Sequence, residues 1–203
     1  MKPQFWNTRY QENENTYGYA PNQYLVDASA LLPAAGRVLS IGEGEGRNSI
    51  WMAEQGFRVW ALDYSWIGLQ KAQKRARQLN LPIKYVCIDL SDWIWPEDYF
   101  DAIVVIFVHL STETRKIIHS KMINSLKPKG YIIMQCFHKK QLQFNSGGPK
   151  SEEMLYTAEL LQDDFKDNNF IDLKEAEVEL DEGAFHQGTA SVINLIVQKR
   201  PID

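Results

Sequence analysis

The sequence lacks any run of ~18 apolar residues, the length a membrane-spanning helix needs, and its N-terminal stretch MKPQFWNTRYQENENTYGYA has no continuous apolar segment after the first lysine. This predicts a soluble, cytoplasmic protein with no membrane partner. Cysteine is scarce, at Cys87 and Cys136 alone. Each lies in an apolar, strand-like run, which predicts two buried thiols rather than a disulfide or a metal pair. The four histidines, His109, His119, His138 and His186, have no ligand spacing, so no metal site is expected. Positive charge is also in deficit. Lys and Arg number 22 against 26 Asp and Glu, for a net charge of -4, which argues against a nucleic-acid partner. The one basic run, KAQKRAR at 71–77, reads as a solvated helix face. No internal repeat or low-complexity stretch is visible.

What is present is enough apolar surface for one core: 44% of 203 residues are hydrophobic, which predicts a single domain over 1–203. Residues 1–24 are polar yet carry Phe5, Trp6, Tyr10, Tyr17, Tyr19 and Tyr24, and read as an aromatic N-terminal lid segment that packs on the rest. Helical spacing then runs over 25–32, a strand over 37–41, a helix over 47–55 closed by Gly56, and a strand over 58–62. A helix over 65–79 follows, with a strand at 83–88. The apolar, β-branched run FDAIVVIFV at 100–108 reads as a strand buried on both faces. A helix over 112–126, a turn at KPKG (127–130) and a strand at 131–137 continue the alternation, which predicts an α/β fold with a parallel sheet between helical layers. A helix over 151–168 precedes strands near 173–180 and 191–198, whose short joining loop requires an antiparallel pair.

The chemistry concentrates at SIGEGEGRN, 40–48, between the first strand and its helix. Glycines 42, 44 and 46 let a backbone approach a ligand closely, at the place where open α/β sheets bind nucleotides. Asp63, at the end of the second strand, suits the hydroxyls of a ribose, and Asp89, after the third, suits the amino edge of an adenine. The glycines do not fit GxGxxG, and Glu43 and Glu45 would repel a pyrophosphate. A cationic sulfonium with an α-amino group, S-adenosyl-L-methionine (SAM), would welcome them. The remaining readings are a SAM-binding or S-adenosylhomocysteine (SAH)-binding regulatory module without turnover and a small NAD-dependent oxidoreductase.

The segments VLSIGEGEGRNSIWMA, VWALDYS, YVCIDLSDW, FDAIVVIFVHL and LKPKGYIIMQ, closed by an antiparallel pair, resemble the class I SAM-dependent methyltransferases along nearly the whole chain. YGYAPNQYL with GEGRNS resembles the small tellurite-resistance type, a relative of thiol and thiopurine methyltransferases. The resemblance implies a Rossmann-like three-layer sandwich with a seven-stranded, mostly parallel sheet and an antiparallel last strand. It places Gly42, Glu43, Gly44 and Gly46 along the methionine, Asp63 on the ribose, Tyr64 and Leu90 on the adenine faces and Asp89 on its amino group. Arg47, Asn48, Ser65 and Phe107, with Tyr17 of the lid, complete the cofactor candidates. Ser40 stands where this class commonly has an acid, which leaves Glu43 as the carboxylate for the SAM amino group.

The acceptor candidates are His109, past the fourth strand, and His186, in the loop between the last two strands. His138 and Arg9 are further candidates, whereas His119, mid-helix, reads as exposed. Phe107-Val108-His109-Leu110 stands where many amino-methyltransferases have an Asn/Asp-Pro-Pro-aromatic motif, which disfavours adenine or amide nitrogens as acceptors; the resemblance to the tellurite-resistance type implies a small thiol, thiopurine or chalcogen oxyanion instead. The chain is expected to work as a monomer or weak homodimer.

Overall fold

The computed structural model describes residues 3–201. Helices α1 (Pro3–Glu12) and α2 (Gln23–Ala28) precede a repeating pattern. It comprises β1 (Arg37–Ile41), α3 (Arg47–Glu54), β2 (Arg58–Asp63), α4 (Trp66–Gln78), β3 (Lys84–Cys87), β4 (Phe100–Ile106), α5 (Thr112–Ser125) and β5 (Leu126–Phe137). A short α6 (Ala158–Asp164) leads to β6 (Asn169–Asp181) and β7 (Gln187–Gln198). The seven strands form one sheet in the order β3-β2-β1-β4-β5-β7-β6. β1 to β5 pair in parallel, and β7 enters antiparallel between β5 and β6.

Alternation along the central strands builds two cores. Leu39 and Ile41 of β1 and Ile103 and Val105 of β4 face one side, where Ile118 and Met122 of α5 and Leu161 and Phe165 join them. Val38, Ala102 and Val104 face the other side, against Leu25 and Ala28 of α2 and Met52 of α3. A strand covered on both faces has no polar side to show, so β4 reads as a continuous apolar run. The order reverses between β1 and β4, whose carboxyl ends carry Gly42 and Phe107, and that is the crevice where such sheets take ligands.

Several sequence expectations need correction. The aromatic N-terminal segment begins with a ten-residue helix, α1, whose Trp6 and Tyr10 stack one turn apart (5.9 Å, 25°). Helical spacing was present there in aromatic residues. The turn at 127–130 exists but interrupts β5 from within: Leu126 pairs with Phe100, and Tyr131 already pairs with Ala102. The helix expected over 151–168 shrinks to seven residues, because the Thr157 hydroxyl accepts from the Leu160 amide and starts it late. The final hairpin is longer than expected. β6 is an edge strand whose Lys174, Glu175, Glu177 and Glu179 mask its alternation and suit an unpaired edge.

Cys136 is buried but Cys87 is exposed, because β3 is the opposite edge strand. His119 is buried rather than exposed. Its Nδ1 lies 2.9 Å from Asp164, which also accepts from Arg115 Nε at 2.8 Å.

Candidate functional site

A cavity of about 260 Å³ opens over the carboxyl ends of β1, β2, β3 and β4. Two conformations pin its floor. Gly42 has φ 63°, and a Cβ there would stand 2.5 Å from Val108 Cγ2. Phe107, directly after β4, holds φ 54°, a conformation that costs a bulky residue about 1–3 kcal/mol. Its amide donates to Gln135 O at 2.8 Å, and its ring stacks on Phe137 at 4.5 Å. Together they carry that strain.

At the β2 end, Asp63 is buried and accepts from the Gly44 amide at 2.8 Å and the Ser65 amide at 2.6 Å, one to each oxygen. Burial outweighs these hydrogen bonds and raises its pKa to about 6. A carboxylate oxygen accepts more than one hydrogen bond, so both retain capacity toward a hydroxylated ligand. Tyr64, Ile88, Asp89 and Leu90 continue the wall from β2 to beyond β3. Asp89 is held by the Ser91 amide at 2.8 Å.

The glycine turn uses its acids differently from the sequence reading. One Glu43 oxygen accepts from the Ser40 hydroxyl and the other from the Ser49 amide, in the first turn of α3, at 2.8 Å. Ser40 and Glu43 therefore act as one unit, which braces the turn and meets the positive end of the helix. Burial raises the Glu43 pKa. Glu45 accepts from the Thr16 amide at 2.6 Å and pairs with Lys71 at 2.9 Å. Both carboxylates reach the cavity wall, but each is also engaged by partners in the chain, and Lys71 of the basic run neutralises Glu45, so the turn presents less negative charge to a ligand than the sequence suggests.

These bonds also staple the N-terminal segment to the site. Asn48 Oδ1 accepts from the Asn22 amide at 3.0 Å, Lys71 donates to Asn13 O, and the Ser65 hydroxyl bonds Asn7. Trp6, Tyr10, Tyr17 and Gly18 form the roof. Arg9 donates to the Tyr17 hydroxyl at 2.9 Å and lies against the rings of Phe5, Trp6 and Phe185. Gly44 and Ser65 do not line the cavity. Tyr10 covers Gly44, where an added Cβ would stand 2.4 Å from its hydroxyl, and Ser65 is consumed as the α4 N-cap, accepting from the Gly68 amide.

Beyond β4 the wall turns aromatic and basic. His109 stacks on Phe137 (5.9 Å, 23°), and its buried Nδ1 has no hydrogen-bond partner among the described residues. Burial, with His186 and Arg9 nearby, depresses its pKa to about 3, so it is neutral. His186 is buried among Tyr17, Phe107 and Phe137, and its Nδ1 lies 3.2 Å from Glu182. Glu182 also accepts from Arg47 at 2.7 Å and from Asn22 at 2.9 Å. His138 lies away from the cavity, where it accepts from the Lys140 amide and faces Glu175. Sequence reasoning missed Glu182, and it placed Tyr10 and Asn22 in the N-terminal segment without giving either a part in the site. The Glu182-to-His186 spacing across a Gly183 turn was a readable signal; the other two depend on long-range packing.

Residues 38–130 match a family model described as a methyltransferase domain. Among curated proteins, the chain is 32% identical over 120 residues to YqeM of Bacillus subtilis (strain 168), which carries a methyltransferase name; the match covers 57% of this chain and 48% of that protein. It is 30% identical over 113 residues to a demethylmenaquinone methyltransferase of Renibacterium salmoninarum, covering 56% and 46%. The chain thus spans about half the length of the curated relatives it matches. TehB from Haemophilus influenzae superimposes with a TM-score of 0.76 over 96% of this chain and 67% of that one, at 21% identity. A Burkholderia thailandensis 1,6-didemethyltoxoflavin-N1-methyltransferase, solved with SAH, gives 0.66 over 89% and 78%, at 18% identity. The fold is the Rossmann-like fold that these neighbours share, and the match to a methyltransferase-domain model supports SAM as the cofactor.

Proposed function

We propose that this chain is a SAM-dependent methyltransferase acting on a small-molecule acceptor, with thiols, thiopurines and chalcogen oxyanions favoured. One observation carries the reading. An acid-lined stretch at Asp63, Tyr64, Asp89 and Leu90 runs without a break into the aromatic and imidazole wall of Phe107, His109 and His186, in a single cavity. That layout suits a nucleoside at one end and a reacting group at the other.

When bound, SAM supplies an electrophilic methyl group on a sulfonium. The residues supply position. Asp63 holds ribose hydroxyls, Tyr64 and Leu90 face the base, and Asp89 is reserved for its amino group. Gly42, Gly46, Arg47 and Asn48 border the methionine, with Glu43 bracing the turn from beneath. Aligning nucleophile and methyl in one water-poor pocket accounts for much of the rate gain in such a displacement, and the roof of Trp6, Tyr10 and Tyr17 excludes solvent. The thiol-type acceptor rests on the resemblance of YGYAPNQYL and GEGRNS, and the likeness to TehB is in keeping with it. The acceptor of the demethylmenaquinone enzymes is not carried over, since the shared region is under half of their length.

Calorimetry with SAH, followed by a screen for SAH release with thiols, thiopurines, selenite and tellurite, tests the reading. Binding with release supports it; binding without release by any acceptor favours the regulatory module.

A further inference from the structure

We propose that Glu182 and His186 form a carboxylate–imidazole dyad that removes the proton of the methyl acceptor, with Nε2 of His186 receiving the proton and Glu182 as its positioning residue. The acceptor's part in this rests on the methyl-transfer reading; the dyad's geometry does not.

The β6–β7 turn builds the pair. Glu182 N donates to His186 O at 2.9 Å and His186 N to Gly183 O at 3.2 Å, which brings two side chains four residues apart to the same side. Gly183, at φ 77°, lies so close to the N-terminal segment that an added Cβ would stand 2.5 Å from Gly18 N. Glu182 then accepts from three separate elements: Asn22 ahead of α2, Arg47 of α3 and His186 of its own turn. Asn22 is itself tied to Gln135 of β5 at 2.7 Å. These donors hold the Glu182 pKa down at about 2, so the group is ionised.

An ionised carboxylate only accepts hydrogen bonds. Nδ1 of His186 must therefore carry the hydrogen, and neutral His186 has a bare lone pair on Nε2. No hydrogen bond engages Nε2 among the described residues, while the ring lines the cavity. Gly147 backs the Cδ2–Nε2 edge of the ring, where an added Cβ would stand 2.6 Å from Cδ2 and 3.2 Å from Nε2, so a side chain at 147 would crowd the base. The groups facing the ring are Glu182, Arg47, Arg9, His109 and Tyr17. Burial and the two arginines outweigh Glu182 and lower the His186 pKa, which keeps it neutral at pH 7. His109, with no carboxylate behind it, is the weaker base.

This narrows the acceptor class. A base is useful to a neutral X–H nucleophile, such as a thiol, a thiopurine or a hydroxyl, and not to an oxyanion that is already ionised. The acceptor gives its proton to Nε2 and forms X–CH3 as the S–CH3 bond breaks with its electron pair left on sulfur, and the imidazolium rests on Glu182.

The test uses the whole protein with histidine labelled by 15N, as wild type, Glu182→Gln and His186→Gln. Wild-type His186 is expected in the Nδ1–H form with a titration midpoint below the usual histidine value, and Glu182→Gln should lower that midpoint further. An Nε2–H form, or a midpoint indifferent to Glu182→Gln, overturns the dyad whether or not any acceptor is found. SAH calorimetry on all three proteins separately tests the cofactor reading. Methyl transfer is then compared between 2-mercaptoethanol, protonated at neutral pH, and 4-nitrothiophenol, already ionised. Both substitutions should lower kcat for the first by about tenfold or more and leave the second within about twofold. Equal losses would contradict the proposal, and if wild type methylates neither, the tautomer measurement decides.

Discussion

Asp63 is the residue on which the nucleotide end of the site turns. Its pKa of about 6 is raised by burial against the pull of its backbone donors. Since the folded value lies above the ordinary carboxylate value, the associated stability is present below about pH 4 and is lost as pH rises through 6. Ribose hydroxyls donate to the ionised form, so the ligand wants the state that folding disfavours. SAH affinity should therefore weaken as pH falls through 6, and Asp63→Asn should bind more weakly at pH 7.5 with a flattened profile. Calorimetry at several pH values reads both. Gly42 allows a second prediction: Gly42→Ala meets both a left-handed φ and Val108, and should cost about 1–3 kcal/mol in denaturant unfolding. Asp63 and Gly42 were legible because strand-end chemistry is local. Glu43 was legible as a residue of the turn that borders the cavity, but its partners Ser40 and Ser49 show only in the folded turn.

Among elements, the N-terminal segment is the one whose role the sequence half disclosed. Its aromatics marked it as packed, but not as the helix α1 or as the owner of bonds from Asn7 and Thr16 to the turns after β2 and β1 and from Asn13 and Asn22 to α4 and α3. Removal of residues 1–22 should weaken SAH binding in a chain that still folds, since the sheet and both its cores lie outside them; unchanged affinity would show that the roof does not hold the ligand. On the other side, α5 and α6 are joined by Arg115, Asp164 and His119, all buried. The two donors hold the Asp164 pKa below the ordinary carboxylate value. Its contribution is present above that value and lost as pH falls through the lower folded one. Asp164→Asn leaves Arg115 buried and unpaired, and should cost about 3 kcal/mol in an unfolding titration. Nothing in residue spacing marks this triad, because Asp164 lies 45 residues from His119 and pairs with it only through packing.

At the scale of the whole molecule, the parallel half was the most readable. β4 and the 131–137 part of β5 are largely apolar because both faces are covered, and the turns after β1, β2 and β3 carry their own chemistry. The charged outer face of β6, the exposed Cys87 of β3 and the short α6 were misjudged, since edges and short capped helices depend on neighbours that residue spacing does not reveal. Strand order then does the rest. It sets the reversal between β1 and β4 beneath the acid-lined wall and inserts β7 so that the β6–β7 turn brings His186, with Glu182 at its Nδ1, to the same cavity. The central claim, that this one cavity takes a phosphate-free adenosyl cofactor, is tested most directly by calorimetry of the purified protein with SAH and with NAD. One-to-one binding of SAH with no heat from NAD is the predicted result; binding of NAD with none of SAH would contradict it.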